Sequence, residues 1–403
     1  MNVQSHGLAS SGADPDKPPG EFKSRLADAL TGRYRSLPVI ASLAVIWLFF
    51  QSQNSAFLTV GNLTNLSLQI VTTALLALGV VFVLIVGEID LSGAALGAVG
   101  ATIAAVITVI VGWPFWLALI IGLAFGVVIA LVEALIVVFG VPSLITTLGG
   151  MVILEGALLV VLPEAFQVNV GGTTYAELAG AKIPAVVAVT LAVVGCIAFA
   201  LLKWRSWSRN TGRRSTPIGL VVGTLAISVL VIGATYILSA ARGLPLPVAI
   251  LIGILLVASY FTTQTRFGSH MYAVGGNREA AARAGLPVSR IVLYSFMVLG
   301  ACAVLAGMVD ASRVLGVSAS SGKGSLMLNA IAAAIVGGAS LFGGRGTVWA
   351  ALLGALVIGS ITNGVQLLGL STEIQLFATG GVLILAVAID VVVTRGKLFP
   401  WRN

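Results

Sequence analysis

Charge is scarce in this chain. Lys, Arg, Asp and Glu make up 9% of its 403 residues, where a soluble domain carries roughly 25%. No Lys or Arg occurs between Arg35 and Lys182. With 58% of residues hydrophobic and a mean hydropathy of +1.07, a water-soluble fold is excluded, and most of the length must lie in a bilayer. Cysteine is nearly absent. Cys196 and Cys302 both fall in apolar runs without metal-like spacing, so they read as small packing residues. There are two histidines, His6 in the polar N-terminal stretch and His270 in a loop between apolar runs, and neither H-E-x-x-H nor G-x-S-x-G occurs. A membrane-embedded protease or hydrolase therefore lacks its usual parts, and no metal site is expected.

What charge there is has a sign and a place. The net charge is +8, but the cations sit in short segments between apolar runs. That pattern speaks for membrane orientation rather than for nucleic-acid binding. Residues 1–36 are polar, contain Pro15, Pro18 and Pro19, and lack the apolar core of a cleavable signal peptide. They are expected to form a cytoplasmic tail, in which residues 21–31 can make a short amphipathic helix.

Apolar runs of about 20 residues, the length that crosses a bilayer, recur near 37–53, 65–86, 91–111, 115–139, 143–162, 183–203, 217–240, 246–263, 291–312, 326–342, 347–368 and 375–394. Some are short or Gly-rich, as broken or re-entrant segments would be. If the N-terminus is placed inside, eighteen Lys and Arg fall in inside segments and four (Lys182, Arg242, Arg313, Lys323) outside. This is the positive-inside pattern. The expected fold class is an all-α integral membrane protein: a polytopic helical bundle of about 12 transmembrane helices (10–12), both termini cytoplasmic. Residues 37–403 would be one membrane domain with a cytoplasmic loop at 264–290.

Two acids interrupt the apolar pattern. Glu88 and Asp90 lie in "VFVLIVGEIDLSGAALGAVGA" (81–101). A charge at the bilayer centre costs about 2.5–3.5 kcal/mol on insertion scales. The span lengths instead put both acids at a turn on the cytoplasmic edge. There Asp90 or Ser92 can cap the following helix, and Gly87 and Gly93 allow the turn. A switching role is the alternative, with an acid pairing to Arg345 or to an Arg of the 264–290 loop. The plan of 83–101, an apolar helix, a Gly-rich turn and an Ala/Gly-rich helix, is echoed at 333–355.

The closest approach to a nucleotide loop, "GVSASSGKGS" (316–325), has five residues between Gly316 and Gly322, and Gly324 follows Lys323. A P-loop needs four, and Ser or Thr after the Lys. Polar residues inside apolar runs are candidates for a translocation path: Gln69, Thr72, Thr73, Asn329, Thr362, Asn363 and Gln366. In the longest polar loop, Asn277 is a suitable N-cap, Glu279 suits the first turn, and Gly285 and Pro287 suit the stop. The reading is a helix of about two turns outside the membrane. Its surface carries the methyl groups of residues such as Ala280 and Ala281, flanked by Arg278, Arg283 and Arg290. Such a knob fits a groove on a cytoplasmic partner.

"EAAARAG" (279–285) resembles the coupling segment of ABC importer permeases. With "GEIDLSGAALGAVGA", "VPSLITTLGG", "FGSHMYAVGGNREAAARAGLPVSR" and "NAIAAAIVGGASLFGGRGT", the chain after about residue 38 resembles the monosaccharide permeases of that superfamily. The basic loop 203–214 and its hairpin look more like xylose-type or multiple-sugar permeases than ribose-type ones. Branched-chain amino-acid permeases share the superfamily and a similar G-x-x-D-L-S element. The resemblance implies a transport subunit, not an enzyme, in a bacterial inner membrane. It implies a pair of permease chains (a homodimer or two related chains), two cytoplasmic ATPases and a periplasmic sugar-binding protein. ATP and Mg²⁺ would sit on the ATPases, with no cofactor on this chain. Residues Asn277–Gly285 would form the coupling helix. A proton-coupled secondary transporter using Glu88 and Asp90 is the rival from a different class.

Overall fold

The computed structural model describes residues 37–209, 217–240, 243–323 and 325–395. The expected N-terminal tail, part of the basic loop 203–214, and the C-terminal residues beyond Arg395 lie outside these.

The described helices follow the apolar runs closely. They are α1 (Leu37–Gln53), α2 (Val60–Ile85), α3 (Gly93–Val109), α4 (Phe115–Val138) and α5 (Ser143–Val161), then α6 (Glu177–Gly180), α7 (Ala185–Arg209) and α8 (Pro217–Ala240). After them come α9 (Leu246–Gln264), α10 (Arg266–Gly276), α11 (Arg278–Arg283), α12 (Val288–Arg313), α13 (Leu326–Val336), α14 (Trp349–Leu367) and α15 (Thr372–Arg395). Seven helices are long and apolar enough to cross a membrane, and five shorter apolar ones accompany them among the described residues. His270, expected in a loop, lies within α10.

The bundle is organised around α12, which packs against α2, α3 and α4. Small residues make this possible. A Cβ on Gly97 would lie 2.4 Å from the Ala303 carbonyl oxygen, and one on Gly300 would lie 2.4 Å from that of Gly126. In lipid there is no hydrophobic drive between helices, so close backbone packing at small residues holds them together.

The expected span at 326–342 is corrected. α13 has 11 residues, about 16 Å of helix, and stops at Gly337 and Gly338 (φ 110°). The segment before it is not helical. Strand β4 (Gly316–Ser318) pairs antiparallel with β1 (Gln167–Asn169), Val317 opposite Val168. The chain then turns inward until Gly322 packs on the backbone of Ala94 in α3. Non-helical backbone beside membrane helices survives only where protein buries it or a polar cavity meets it, and both conditions hold here.

Helices α7 and α8 form a hairpin that packs chiefly on itself. Its two ends are brought together by β2 (Lys182–Ile183) pairing with β3 (Leu244–Pro245).

Candidate functional site

Two polar regions stand out, at opposite ends of the bundle. The first is a junction where five elements meet. Gly87 has φ 83°, a conformation that glycine alone adopts without cost, and it turns the chain out of α2. Gly93 keeps an ordinary φ, and its part is packing rather than the turn, since a Cβ there would press on the Leu76 side chain at 3.2 Å. Between them, the α2–α3 turn is tied to α5 through Ser143 and Thr147. The Ile89 N–H donates to the Ser143 hydroxyl and the Leu91 N–H to that of Thr147, each at 3.2 Å.

Asp90 is the residue that caps α3. Its Oδ1 accepts from the Ser92 N–H (2.7 Å), the Ser92 hydroxyl (2.9 Å) and the Gly93 N–H (3.0 Å). Asp90 is 2% exposed. Burial in this turn pushes its carboxyl above the usual carboxylate range, while the bonds from Ser92 and Gly93 pull it back. Ser92 also meets Glu133 of α4, its Oγ 2.9 Å from Glu133 Oε2. Glu133 was not singled out in the sequence; the signal was one acid in an otherwise apolar run.

Glu88 forms an ion pair with Arg278 at the start of α11. The Glu88 side chain is 8% exposed and that of Arg278 is 49% exposed. Of the two partner classes expected for this acid, the loop arginine is therefore the one in contact. Arg345 is exposed, and what its segment contributes is backbone, because the Gly344 N–H donates to the Ile85 carbonyl at 2.8 Å.

The expected short helix is present as α11. The Asn277 side chain caps it, accepting from the Ala280 N–H at 2.9 Å. Gly285 ends it at φ 78°, with the Leu286 N–H reaching back to the Ala281 carbonyl at 3.1 Å. Ala281 is 5% exposed and faces inward. Ala280, Ala282, Glu279 and Arg283 are exposed, and Glu279 and Arg283 pair across one turn at 3.3 Å. The result is a knob with an apolar tip and charged flanks, tied at its base to the α2–α3 turn.

The second region is a cavity of about 830 Å³ at the β1–β4 end. Asn169, Asp310, Arg313, Ser321, Lys323 and Asn329 are among its lining residues. Asp310 and Arg313 pair at 2.9 Å. The Asn329 amide nitrogen donates to Ser325 at 3.4 Å, and its oxygen has no hydrogen-bond partner. Hydroxyls, amides and a few charges thus share the lining with apolar side chains such as Val168, Leu315 and Leu326.

Five of the seven path candidates divide among three places. Asn329 lines the cavity. Gln69, Asn363 and Gln366 bond to one another: Asn363 donates to Gln69 at 3.3 Å and Gln69 to Gln366 at 3.4 Å. Asn62, missed in the sequence, donates to Asn363 at 2.8 Å. Thr72 is 3% exposed and its hydroxyl has no partner.

Residues 62–387 match the family described as branched-chain amino acid transport system / permease component. The chain belongs to this permease family. The permease is 36% identical over 358 residues to the xylose transport system permease protein XylH of Escherichia coli K12, covering 87% of this chain and 90% of that one. It is 34% identical over 363 residues to XylH of Haemophilus influenzae, covering 87% and 95%. To the ribose import permease protein RbsC of E. coli K12 it is 30% identical over 353 residues, covering 87% and 92%. No solved structure matches the permease.

Proposed function

We propose that this chain is the membrane-spanning subunit of an ABC importer in a bacterial inner membrane, and that it carries xylose or a related monosaccharide. The observation that carries the reading is the combination of a capped, exposed knob with near full-length similarity to xylose permeases. The junction end holds the α10–α11 cations, so the positive-inside rule assigns it to the cytoplasm. Twelve helices then cross or enter the bilayer, α13 crossing only part of it, and both termini are cytoplasmic. The polar cavity opens to the opposite side, where a binding protein would deliver a sugar.

In this reading α11, with Asn277 as cap and Gly285 as stop, is the coupling helix that docks on a cytoplasmic ATPase. ATP and Mg²⁺ bind there and not on this chain. A second permease chain, identical or related, completes the pathway. Movement of α11 reaches the bundle through Arg278 and Glu88. The transition is a rigid-body swing of packed helices between outward- and inward-open states. The cavity's hydroxyls and amides suit a neutral polyol, and the similarity to sugar permeases favours a sugar over a branched-chain amino acid.

The test is uptake of labelled xylose, ribose and glucose by the permease reconstituted with its ATPase and binding protein. Xylose uptake that survives an uncoupler and is lost with an ATPase-dead partner is expected. Uptake that needs no ATPase and collapses with the proton gradient overturns the reading in favour of a proton-coupled carrier.

A further inference from the structure

The Ser92 hydroxyl lies between two carboxyl groups, 2.9 Å from Asp90 Oδ1 and 2.9 Å from Glu133 Oε2. A serine hydroxyl has one proton to donate. One of these contacts therefore needs a proton supplied by the carboxyl itself. Asp90 Oδ1 already accepts two backbone N–H bonds, an arrangement that favours the carboxylate even though its Oδ2, like Glu133 Oε1, has no partner. Glu133 has no such donors. It is 5% exposed on a membrane helix, and Ser92 is its hydrogen-bond partner while Oε1 has none. An ionised carboxylate with one neutral partner is the costly state there, and a neutral acid donating one bond is the cheap one.

A separate observation shows that the Glu133 side chain is seated and not merely tolerated. On α5, a Cβ at Gly150 would lie 2.0 Å from Glu133 Oε1. The absence of a side chain at Gly150 leaves the space this carboxyl occupies.

We propose that Glu133 is a positioning residue: as a neutral carboxylic acid it donates to Ser92, fastens the α2–α3 turn to α4, and makes α4 follow the Glu88–Arg278 contact. The clamp runs from α4 through Glu133, Ser92 and Asp90 to the turn, and from Glu88 to the knob. Its last step rests on the importer reading; the protonation and the clamp do not.

The test has two arms. In the first, the purified chain in lipid nanodiscs is studied by infrared spectroscopy at neutral pH. A protonated-carboxyl C=O band is expected that disappears in E133Q and persists in E155Q, Glu155 being the acid of α5. Absence of the band in the native chain, or its survival in E133Q, overturns the proposal. In the second, ATP hydrolysis stimulated by the binding protein is measured in the assembled transporter. E133Q, whose amide still donates to Ser92, is expected to retain it, and E133L to lose about tenfold, the usual effect of stranding a buried partner. Equal loss in both variants overturns the positioning role. The infrared arm involves no partner protein, so its failure is distinct from a failure of the importer reading.

Discussion

At the scale of single residues, the junction depends on a few polar contacts in an apolar setting. Glu88 is nearly enclosed, while the Arg278 guanidinium is half in water. Their attraction is therefore on the order of 1 kcal/mol after solvent screening, and its consequence is geometric more than energetic. The variants E88Q and R278Q are expected to insert and remain folded, with a melting temperature close to that of the native chain, yet to lower uptake several-fold in the assembled transporter. The charge swap E88R/R278E is expected to recover part of that loss, and no recovery would show that the pair does not transmit movement. Asp90 is different, because three donors converge on it in a buried turn. D90A strands those donors, at a cost of about 1–3 kcal/mol for each buried group left unsatisfied. A clear fall in thermal stability in detergent is the expected readout.

At the scale of elements, glycine decides where helices touch and where they end. Gly300 and Gly126 face each other so closely that a Cβ on Gly300 would lie 2.4 Å from the Gly126 carbonyl oxygen. G300V is therefore expected to break the α4–α12 contact, costing about 1–3 kcal/mol as overpacking or more where the backbone must move. Early elution as aggregate on size exclusion would report it. G253V is the control, since nothing lies within 4 Å of a Cβ at Gly253. The knob has a separate dependence on Gly285. Its φ of 78° makes G285A cost about 1 kcal/mol or slightly more in local strain. The E279R/G285P variant goes further, reversing the first-turn charge and replacing the stop. It is expected to insert normally and to lose uptake and ATPase association, and normal association in a pull-down would refute the coupling role of α11.

At the scale of the whole molecule, the α7–α8 hairpin is an appendage. It packs mainly on itself, and the β2–β3 pair holds its two ends side by side. Replacing residues 185–242 with a short Gly-Ser linker is expected to leave the remaining bundle folded and inserted, its parity of crossings unchanged. A monodisperse detergent peak with near-native melting would confirm this. Collapse of the variant would show that the hairpin's few contacts with α2 are essential.

The order and extent of the apolar helices were legible in the sequence because each depends on a local run of residues long enough for the bilayer. The knob at 278–283 was legible for the same reason: its cap, first-turn acid and terminal glycine lie within nine residues of one another. The turn at Glu88 and Asp90 was legible as a turn. α13 was misjudged in length, since Gly337 and Gly338 can sit inside a helix, and it is the φ of 110° at Gly338 that ends this one. What tertiary structure alone decided was partnership. Glu88 chose Arg278, 190 residues away, and Ser92 met Glu133 across 41 residues. Gln69 and Asn363 joined across 294, and strands from two distant loops closed one rim of the polar cavity. The bilayer constrains length and polarity one span at a time, so a linear pattern records it. Which polar group faces which is settled only when the helices pack, and no local pattern records that.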